Sequence, residues 1–210
     1  MRWTRRWQRI LDGHAGGNWA TPQAKRLLRE ALVRLTHGKC AFCESRLGVA
    51  SWEEMEHYHP KSLYPELTFE WTNLFPVCGV CNARKGQQDH RGALLKPDEE
   101  DPERYFWVHP DSGRLDPALG LSAEERARTE RTLQICDLQR DALAASRAEL
   151  GQRLSLWIAR VSRGDLCDRH EQELRIFLDP QAEYKLVIRH VFDRKGWGDL
   201  AERDRRRFLE

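Results

Sequence analysis

The sequence predicts a mainly α fold that contains one small cysteine-rich module. Apolar residues recur at helical spacing near residues 22–38 and through most of residues 121–210. Between these regions, four of the six cysteines form two Cys-x-x-Cys pairs. A hydrophobic content of 40% with eight Trp excludes a disordered chain. No apolar run approaches the length of a membrane span, and the N-terminus lacks the apolar core of a signal peptide, so we expect a cytoplasmic protein.

The helices are predicted from their start and stop signals. "ATPQAKRLLREALVRLTHGKC" reads as one helix, with Thr21 as N-cap, Pro22 in the first turn and Gly38 at the end. Ser122 and Glu125 form a capping-box pattern. Beyond it we expect one helical stripe of core residues, formed by Leu143, Leu150, Leu154, Trp157, Ile158 and Val161. Two further apolar stripes follow in "HEQELRIFL" and "AEYKLVIRHVF". In "RYFWVHPDSGRL", "DSG" predicts a hairpin turn.

The chain is predicted to have four segments. They are a basic helical segment (1–38), a cysteine-bounded module (39–90), a loop with a short hairpin (91–120) and a helical region that is a candidate for partner docking (121–210). Residues 1–50 carry ten Lys/Arg and three Asp/Glu, a balance of +7, although the whole chain carries only +2. The basic segment could face a polyanion, be solvated, or dock an acidic partner; these alternatives stay open.

The two cysteine pairs predict a structural zinc site. Cys40 and Cys43 stand in "CAFC", and Cys78 and Cys81 in "CGVC". Four thiolates can close a tetrahedral zinc site with no open coordination position, and the metal would clamp a loop too short to build its own core. Four ordinary buried cysteines are a much weaker alternative, and no thioredoxin-like strand precedes either pair to suggest a redox role. Cys136 and Cys167 are expected to be core thiols.

Several polar residues between and just after the cysteine pairs suit hydrolytic chemistry. "EMEHYHPKS" brings Glu56, His57 and His59 together. Glu56 and Asn82 offer oxygen ligands for a hard divalent ion such as Mg²⁺, which uses few protein oxygens and keeps several waters. His57 would then be available as a general base near neutral pH.

The order Cys-x-x-Cys, Glu-His, Asn-Leu, Cys-x-x-Cys-Asn, x-x-Lys-Gly resembles the HNH endonucleases that carry a structural zinc. The resemblance implies a ββα-metal module with strands at Met55–Tyr58 and Leu74–Val77 and a helix from about Gly79. It implies Glu56 and Asn82 as ligands of a catalytic Mg²⁺ or Mn²⁺, His57 as the general base, and Asn73 as a brace of the loop between the strands.

The longer stretches "EHYHPKSLYPELTFEWTNLFPVCGVCNARKG", "LLKPDEEDPERYFWVHPDSGRLDP" and "ICDLQRDALAASR" are similar to the PtuB-like nuclease subunits of Septu-type anti-phage systems, some of which serve retrons. This resemblance implies a nucleic-acid substrate, with DNA favoured and tRNA an alternative, and a PtuA-like ATPase partner with an ABC or SMC-like head. No membrane role is implied.

Some roles and one alternative function stay open from the sequence. His59 could contact phosphate, support His57, extend the metal shell or simply fix the loop entry. Lys61, Arg84 and Lys85 are candidates for phosphate contact, with solvated surface as the alternative. The other function is a non-catalytic, zinc-stabilised module that binds nucleic acid or acts as an adaptor. It does not explain why Glu56 and Asn82 flank a histidine, because an acidic residue there repels phosphate unless a metal intervenes.

Overall fold

A computed structural model describes residues 22–49, 53–90, 92–162 and 168–199. The chain divides between Arg91 and Gly92 into two compact units. Helices make up about half of the described residues, and two small antiparallel sheets supply the strands. The predicted mainly α fold with a small metal-binding module is therefore confirmed, whereas the division into four segments stays a prediction.

The first unit has the order helix, strand, strand, helix. Its elements are α1 (Pro22–Leu35), β1 (Glu53–His57), two single-turn 3₁₀ helices (Pro65–Leu67 and Trp71–Asn73), β2 (Leu74–Cys78) and α2 (Gly79–Lys85). β1 and β2 pair antiparallel, with Glu53 opposite Cys78 and His57 opposite Leu74. The first strand begins two residues earlier and ends one residue earlier than expected, and the second extends by one residue.

Strand alternation gives the two faces of β1 different neighbours. Met55 packs with Trp71 against a core formed by Leu28 and Leu32 of α1 and Leu74 of β2. Glu54 and Glu56 lie on the opposite face, as the two-residue period of a strand requires, and their carboxylates bond to side chains of α2. The strand therefore joins an apolar layer to a polar site.

The predicted first helix begins at Pro22, and the expected N-cap Thr21 lies outside the described residues. Its end follows from Gly38, which has φ +78° and donates its N–H to the carbonyl of Val33 at 2.8 Å. This left-handed residue after the last turn is a common helix stop because glycine adopts it without steric penalty.

The second unit is largely helical. It contains α3 (Pro102–Tyr105), the hairpin strands β3 (Phe106–Val108) and β4 (Leu115–Pro117), α4 (Ala123–Ile135), α5 (Asp141–Val161), α6 (Asp168–Leu178) and α7 (Lys185–Arg194). The predicted hairpin is confirmed, because β3 and β4 pair antiparallel around the "DSG" turn. The Ser122–Glu125 capping box is also confirmed: Ser122 N–H donates to the Glu125 carboxylate, and Glu125 N–H donates to the Ser122 hydroxyl.

The apolar stripe of α5 forms much of the core of this unit. Leu143, Leu154, Trp157, Ile158 and Val161 are buried, and Leu150 is half-buried. Cys136 is fully buried, as expected, and Cys167 lies outside the described residues. Within the described parts of the chain, no helix combines the length and the apolar character needed to cross a membrane.

Candidate active site

The four paired cysteines converge in the first unit. Cys40, Cys43, Cys78 and Cys81 are all buried, and their sulfur atoms lie within 4.8 Å of one another. The Sγ atoms of Cys43 and Cys78 are 3.8 Å apart. A tetrahedron of four sulfurs, each about 2.3 Å from a central zinc, has edges of about 3.8 Å. The cluster therefore has the donor set and the spacing to hold a metal such as zinc.

Two local structures present these sulfurs. Cys40 and Cys43 lie in a turn in which Cys40 N–H donates to the Ser45 carbonyl at 2.9 Å and Glu44 N–H to the Cys40 carbonyl at 3.0 Å. Ala41 N–H ties this turn to Pro76 of β2 at 3.0 Å. Cys78 ends β2 and caps α2, where its Sγ accepts from Cys81 N–H at 3.5 Å.

The thiols are close enough to share protons. Hydrogen bonds with Cys40 lower the pKa of Cys43 and bring the pKa of Cys78 to about 6. Bonds within the cluster raise the pKa values of Cys40 and Cys81 instead. Such a cluster gains most from a cation that binds all four sulfurs as thiolates, since metal ligation requires deprotonated thiols.

Glu56 lies beside the end of α2 and is paired with a lysine. Its Oε1 accepts a hydrogen bond from Lys85 Nζ at 2.6 Å. Burial raises the pKa of the Glu56 carboxyl above its usual range, and the hydrogen bond and charge of Lys85 oppose that rise. Lys85 also donates to the backbone carbonyl of His57 at 2.9 Å. Lys85 is buried and held in this ion pair, so its position fits neither of the two sequence alternatives, an exposed phosphate contact or a solvated surface residue.

His57 is the last residue of β1 and is half-buried. Its Nε2 lies 3.0 Å from the backbone carbonyl of Thr68. Because a carbonyl oxygen only accepts, Nε2 carries the proton in the neutral ring, and Nδ1 is left as an acceptor. Burial lowers the pKa of His57 below the ordinary histidine value, and the Thr68 hydrogen bond partly opposes that effect. Burial, the larger effect, therefore favours a neutral imidazole at neutral pH.

Asn73 holds the loop between β1 and β2. Its buried side chain accepts from His59 N–H at 2.7 Å and donates to the carbonyls of His59 and Leu67 at 3.0 Å each. β1 ends at His57, so His59 lies in the loop beyond the regular strand. The His59 ring makes edge contacts with Tyr58 and Tyr64, at centroid distances of 4.9 and 5.3 Å.

Asn82 faces a carboxylate that the sequence reasoning missed. It lies on the helix α2, and its side-chain amide donates to Glu54 Oε2. Glu54 stands two residues before Glu56, so the two carboxylates share a face of β1. The two-residue period of a strand is the sequence feature from which the place of Glu54 beside Glu56 could have been predicted. The structure thus bonds Asn82 to Glu54 and Glu56 to Lys85.

The other two candidates for phosphate contact lie on the surface, and two histidines outside the motif are engaged elsewhere. Lys61 and Arg84 are exposed. His90 is buried, and its Nε2 lies 3.0 Å from the Lys85 carbonyl; His109 pairs with Asp116 at 2.6 Å. Among the described residues, one group of three or more His, Cys, Asp or Glu side chains lies close enough together to hold a metal ion, and it is the four cysteines. A site built on Glu56 and Asn82 would rely on one carboxylate, one amide and water, a donor set that suits Mg²⁺ or Mn²⁺.

No protein-family model matches the chain. It is similar, however, to two curated proteins that are both named Septu protein PtuB. The one from Bacillus thuringiensis is 36% identical over 90 residues, which cover 42% of this chain and 34% of that protein. The one from Bacillus mycoides (strain KBAB4) is 26% identical over 160 residues, which cover 61% of this chain and 52% of that protein. The matched segments thus span between about a third and about half of these relatives' lengths, and the predicted resemblance to PtuB is confirmed.

Proposed function

We propose that this chain is a metal-dependent HNH endonuclease that hydrolyses phosphodiester bonds of nucleic acid in an anti-phage defence complex. DNA is the favoured substrate and tRNA the alternative. The observation that carries the proposal is the environment of His57. A carbonyl fixes its protonated Nε2, and the adjoining carboxylate of Glu56 faces the helix that carries Asn82. The similarity to the two PtuB proteins supports the defence role.

His57 acts as the general base in this proposal. With Nε2 donating to Thr68, Nδ1 takes the proton of the attacking water. Asn73 keeps the loop that carries Thr68 in place through its bond to the Leu67 carbonyl. Glu56 and Asn82 supply oxygen ligands for a divalent cation. When bound, Mg²⁺ or Mn²⁺ supplies charge stabilisation for the phosphate and the leaving oxygen.

The test is a nicking assay on supercoiled DNA with Mg²⁺ or Mn²⁺, using the zinc-loaded chain. We expect His57→Ala to fold, to retain zinc and to lose nicking by at least about 100-fold, in line with the usual contribution of a general base. His37→Ala is the control, since it removes a histidine that has no place in the proposed chemistry. Cleavage by His57→Ala at the wild-type rate would remove the assignment of the base.

The proposed partner is a PtuA-like ATPase, and the second unit offers a surface for it. Leu156 and Ile176 are 71% and 67% exposed and line a groove of about 430 Å³ together with Trp157 and Phe177. Arg153 and Arg160 line the same groove, against one carboxylate, Glu173. The apolar lining and this excess of positive charge suit an apolar segment of the ATPase flanked by acidic residues.

Co-purification with a PtuA-like ATPase tests the docking surface. We expect Leu156→Glu and Arg153→Glu each to abolish the complex while zinc content and nicking stay at wild-type levels. Leu119→Glu is the matched control, because Leu119 is 94% exposed in the same unit and does not line the groove. Equal recovery of the complex with all three variants would argue against this surface. A cytoplasmic location belongs to the same proposal.

One observation favours a second candidate function, a non-catalytic module that binds nucleic acid or acts as an adaptor. Both proposed cation ligands are bonded to protein groups, Glu56 to Lys85 and Asn82 to Glu54. This second function predicts binding of nucleic acid without cleavage under any divalent ion. Anomalous diffraction from Mn²⁺-soaked crystals separates the two functions, because only the nuclease requires density beside Glu56.

A further inference from the structure

Lys85 is, with Phe192, among the largest side chains that are almost completely inaccessible to solvent in the described part of the chain. The exposed fraction of its side chain is 0%, and that of Glu56 is 13%. Removing an ammonium group from water costs several kcal/mol unless charge and hydrogen bonding compensate. An apolar side chain could fill the same volume at lower cost, so packing alone does not account for a lysine at this position.

The contacts of Lys85 join three parts of the proposed site. Its Nζ donates to Glu56 Oε1 at 2.6 Å and to the His57 carbonyl at 2.9 Å. Its own carbonyl lies 3.0 Å from His90 Nε2, which fixes the end of α2. Asn82 lies one helical turn earlier on α2, and the Lys85 side chain links that helix directly to the end of β1.

We propose that Lys85 is a positioning residue of the active site, which orients the Glu56 carboxylate and holds the backbone of His57. This inference rests on the proposed nuclease function. By holding Oε1, the ammonium limits rotation of the carboxylate. By holding the His57 carbonyl, it fixes the point from which the imidazole extends. Residues that orient metal ligands in this way typically contribute about 10–100-fold to metal affinity or activity.

The kinetic test compares two buried lysines. Lys85→Met keeps the length of the side chain and removes the ammonium. Lys39→Met is the matched control, because Lys39 has a side chain that is 9% exposed and an ion pair with Glu44 in the same unit, away from His57. We expect Lys85→Met to lower the single-turnover nicking rate per zinc-loaded molecule by about 10–100-fold with an unchanged KM for DNA. Lys39→Met should nick at the wild-type rate per zinc-loaded molecule.

A spectroscopic test on the unaltered chain does not depend on the folding of Lys85→Met or on cleavage. Buried lysine ammonium groups exchange slowly enough to be followed by ¹H–¹⁵N NMR. The Lys85 ammonium signal is identified as one that persists in Lys39→Met. We expect this signal to shift during a Mg²⁺ titration of the wild type, while the Lys39 signal stays in place. The shift should saturate over the same Mg²⁺ range that activates nicking.

These measurements separate failure of the inference from failure of the proposed function. A wild-type chain that never nicks DNA or tRNA, in the presence of its ATPase, contradicts the nuclease. Two results would overturn the positioning role alone in a chain that nicks. One is a Lys85 signal that does not shift with Mg²⁺, and the other is an equal nicking rate for Lys85→Met and Lys39→Met. An equal loss of nicking rate in both lysine variants would also overturn the positioning role, because it would show that Lys85 contributes only to the general stability of the fold.

Discussion

Replacing Asn73 should cost stability out of proportion to the size of its side chain. The side chain makes three hydrogen bonds to the backbone of the β1–β2 loop, to His59 N–H, the His59 carbonyl and the Leu67 carbonyl. Each such bond contributes about 1 kcal/mol net, and loss of the buried amide also leaves its partners unsatisfied. For Asn73→Ala we therefore expect the free energy of unfolding to fall by about 3 kcal/mol.

The contrast with Asn82 makes this prediction specific. Asn82 is half-buried, and its side chain bonds to the exposed Glu54. For Asn82→Ala we expect a loss below about 1 kcal/mol, since its partner regains water. The assay is urea unfolding at saturating zinc, combined with amide exchange of His59. In Asn73→Ala the His59 amide should lose its protection, whereas in Asn82→Ala it should keep it. A protected His59 amide and an unchanged unfolding energy in Asn73→Ala would refute the reasoning.

Three further predictions concern other parts of the chain. Cys43→Ser should lower zinc affinity and leave the first unit sensitive to weak chelators, as measured by zinc release; chelator resistance equal to wild type would contradict the four-sulfur site. Gly113→Ala should destabilise the second unit by at least about 2 kcal/mol in urea, because Gly113 has φ +65° and an added Cβ would lie 2.0 Å from the Ala144 carbonyl. Ser122→Ala should cost about 1 kcal/mol at neutral pH. The Ser122 backbone N–H, and then the Ser122 hydroxyl, hold the pKa of Glu125 below the usual range, so this stabilisation is present above the unfolded pKa and is lost as pH falls through the folded pKa. Because Ser122→Ala keeps the backbone N–H, Glu125→Gln is the variant whose urea midpoints should depend less on acid pH.

The features that could be predicted from sequence are those with a local physical cause. Pro22 fits the first turn of a helix because it lacks an N–H that the helix leaves unpaired, and the helix begins there. Ser122 and Glu125 satisfy each other's backbone donors across three residues. The cysteine pairs converge because each pair spans only four residues, and the bond from Ala41 N–H to the Pro76 carbonyl ties the first pair to β2, which ends at the second pair.

The side-chain pairing within the site could not be predicted in the same way. Glu54 and Glu56 share one face of β1, and spacing alone does not decide which of them meets Asn82 and which meets Lys85. That choice follows from the register in which α2 crosses the strand. The partner of His57 is the backbone carbonyl of Thr68, eleven residues away, and no side-chain pattern marks a carbonyl. The residue types of the candidate site could therefore be predicted from sequence more readily than the contacts that those residues make.

A metal bound by the four cysteines would offer a physical reason why so polar an interior is tolerated. Leu28, Leu32 and Leu74 form a buried apolar cluster between α1 and the sheet, and the same unit buries Asn73 and the ammonium of Lys85. Zinc held by four thiolates contributes on the order of 10 kcal/mol to folding in small domains. That exceeds the several kcal/mol required to bury one paired charge. A module that binds zinc in this way can therefore keep its carboxylates and imidazole in a fixed, partly dehydrated arrangement, because the metal offsets the cost of burying them.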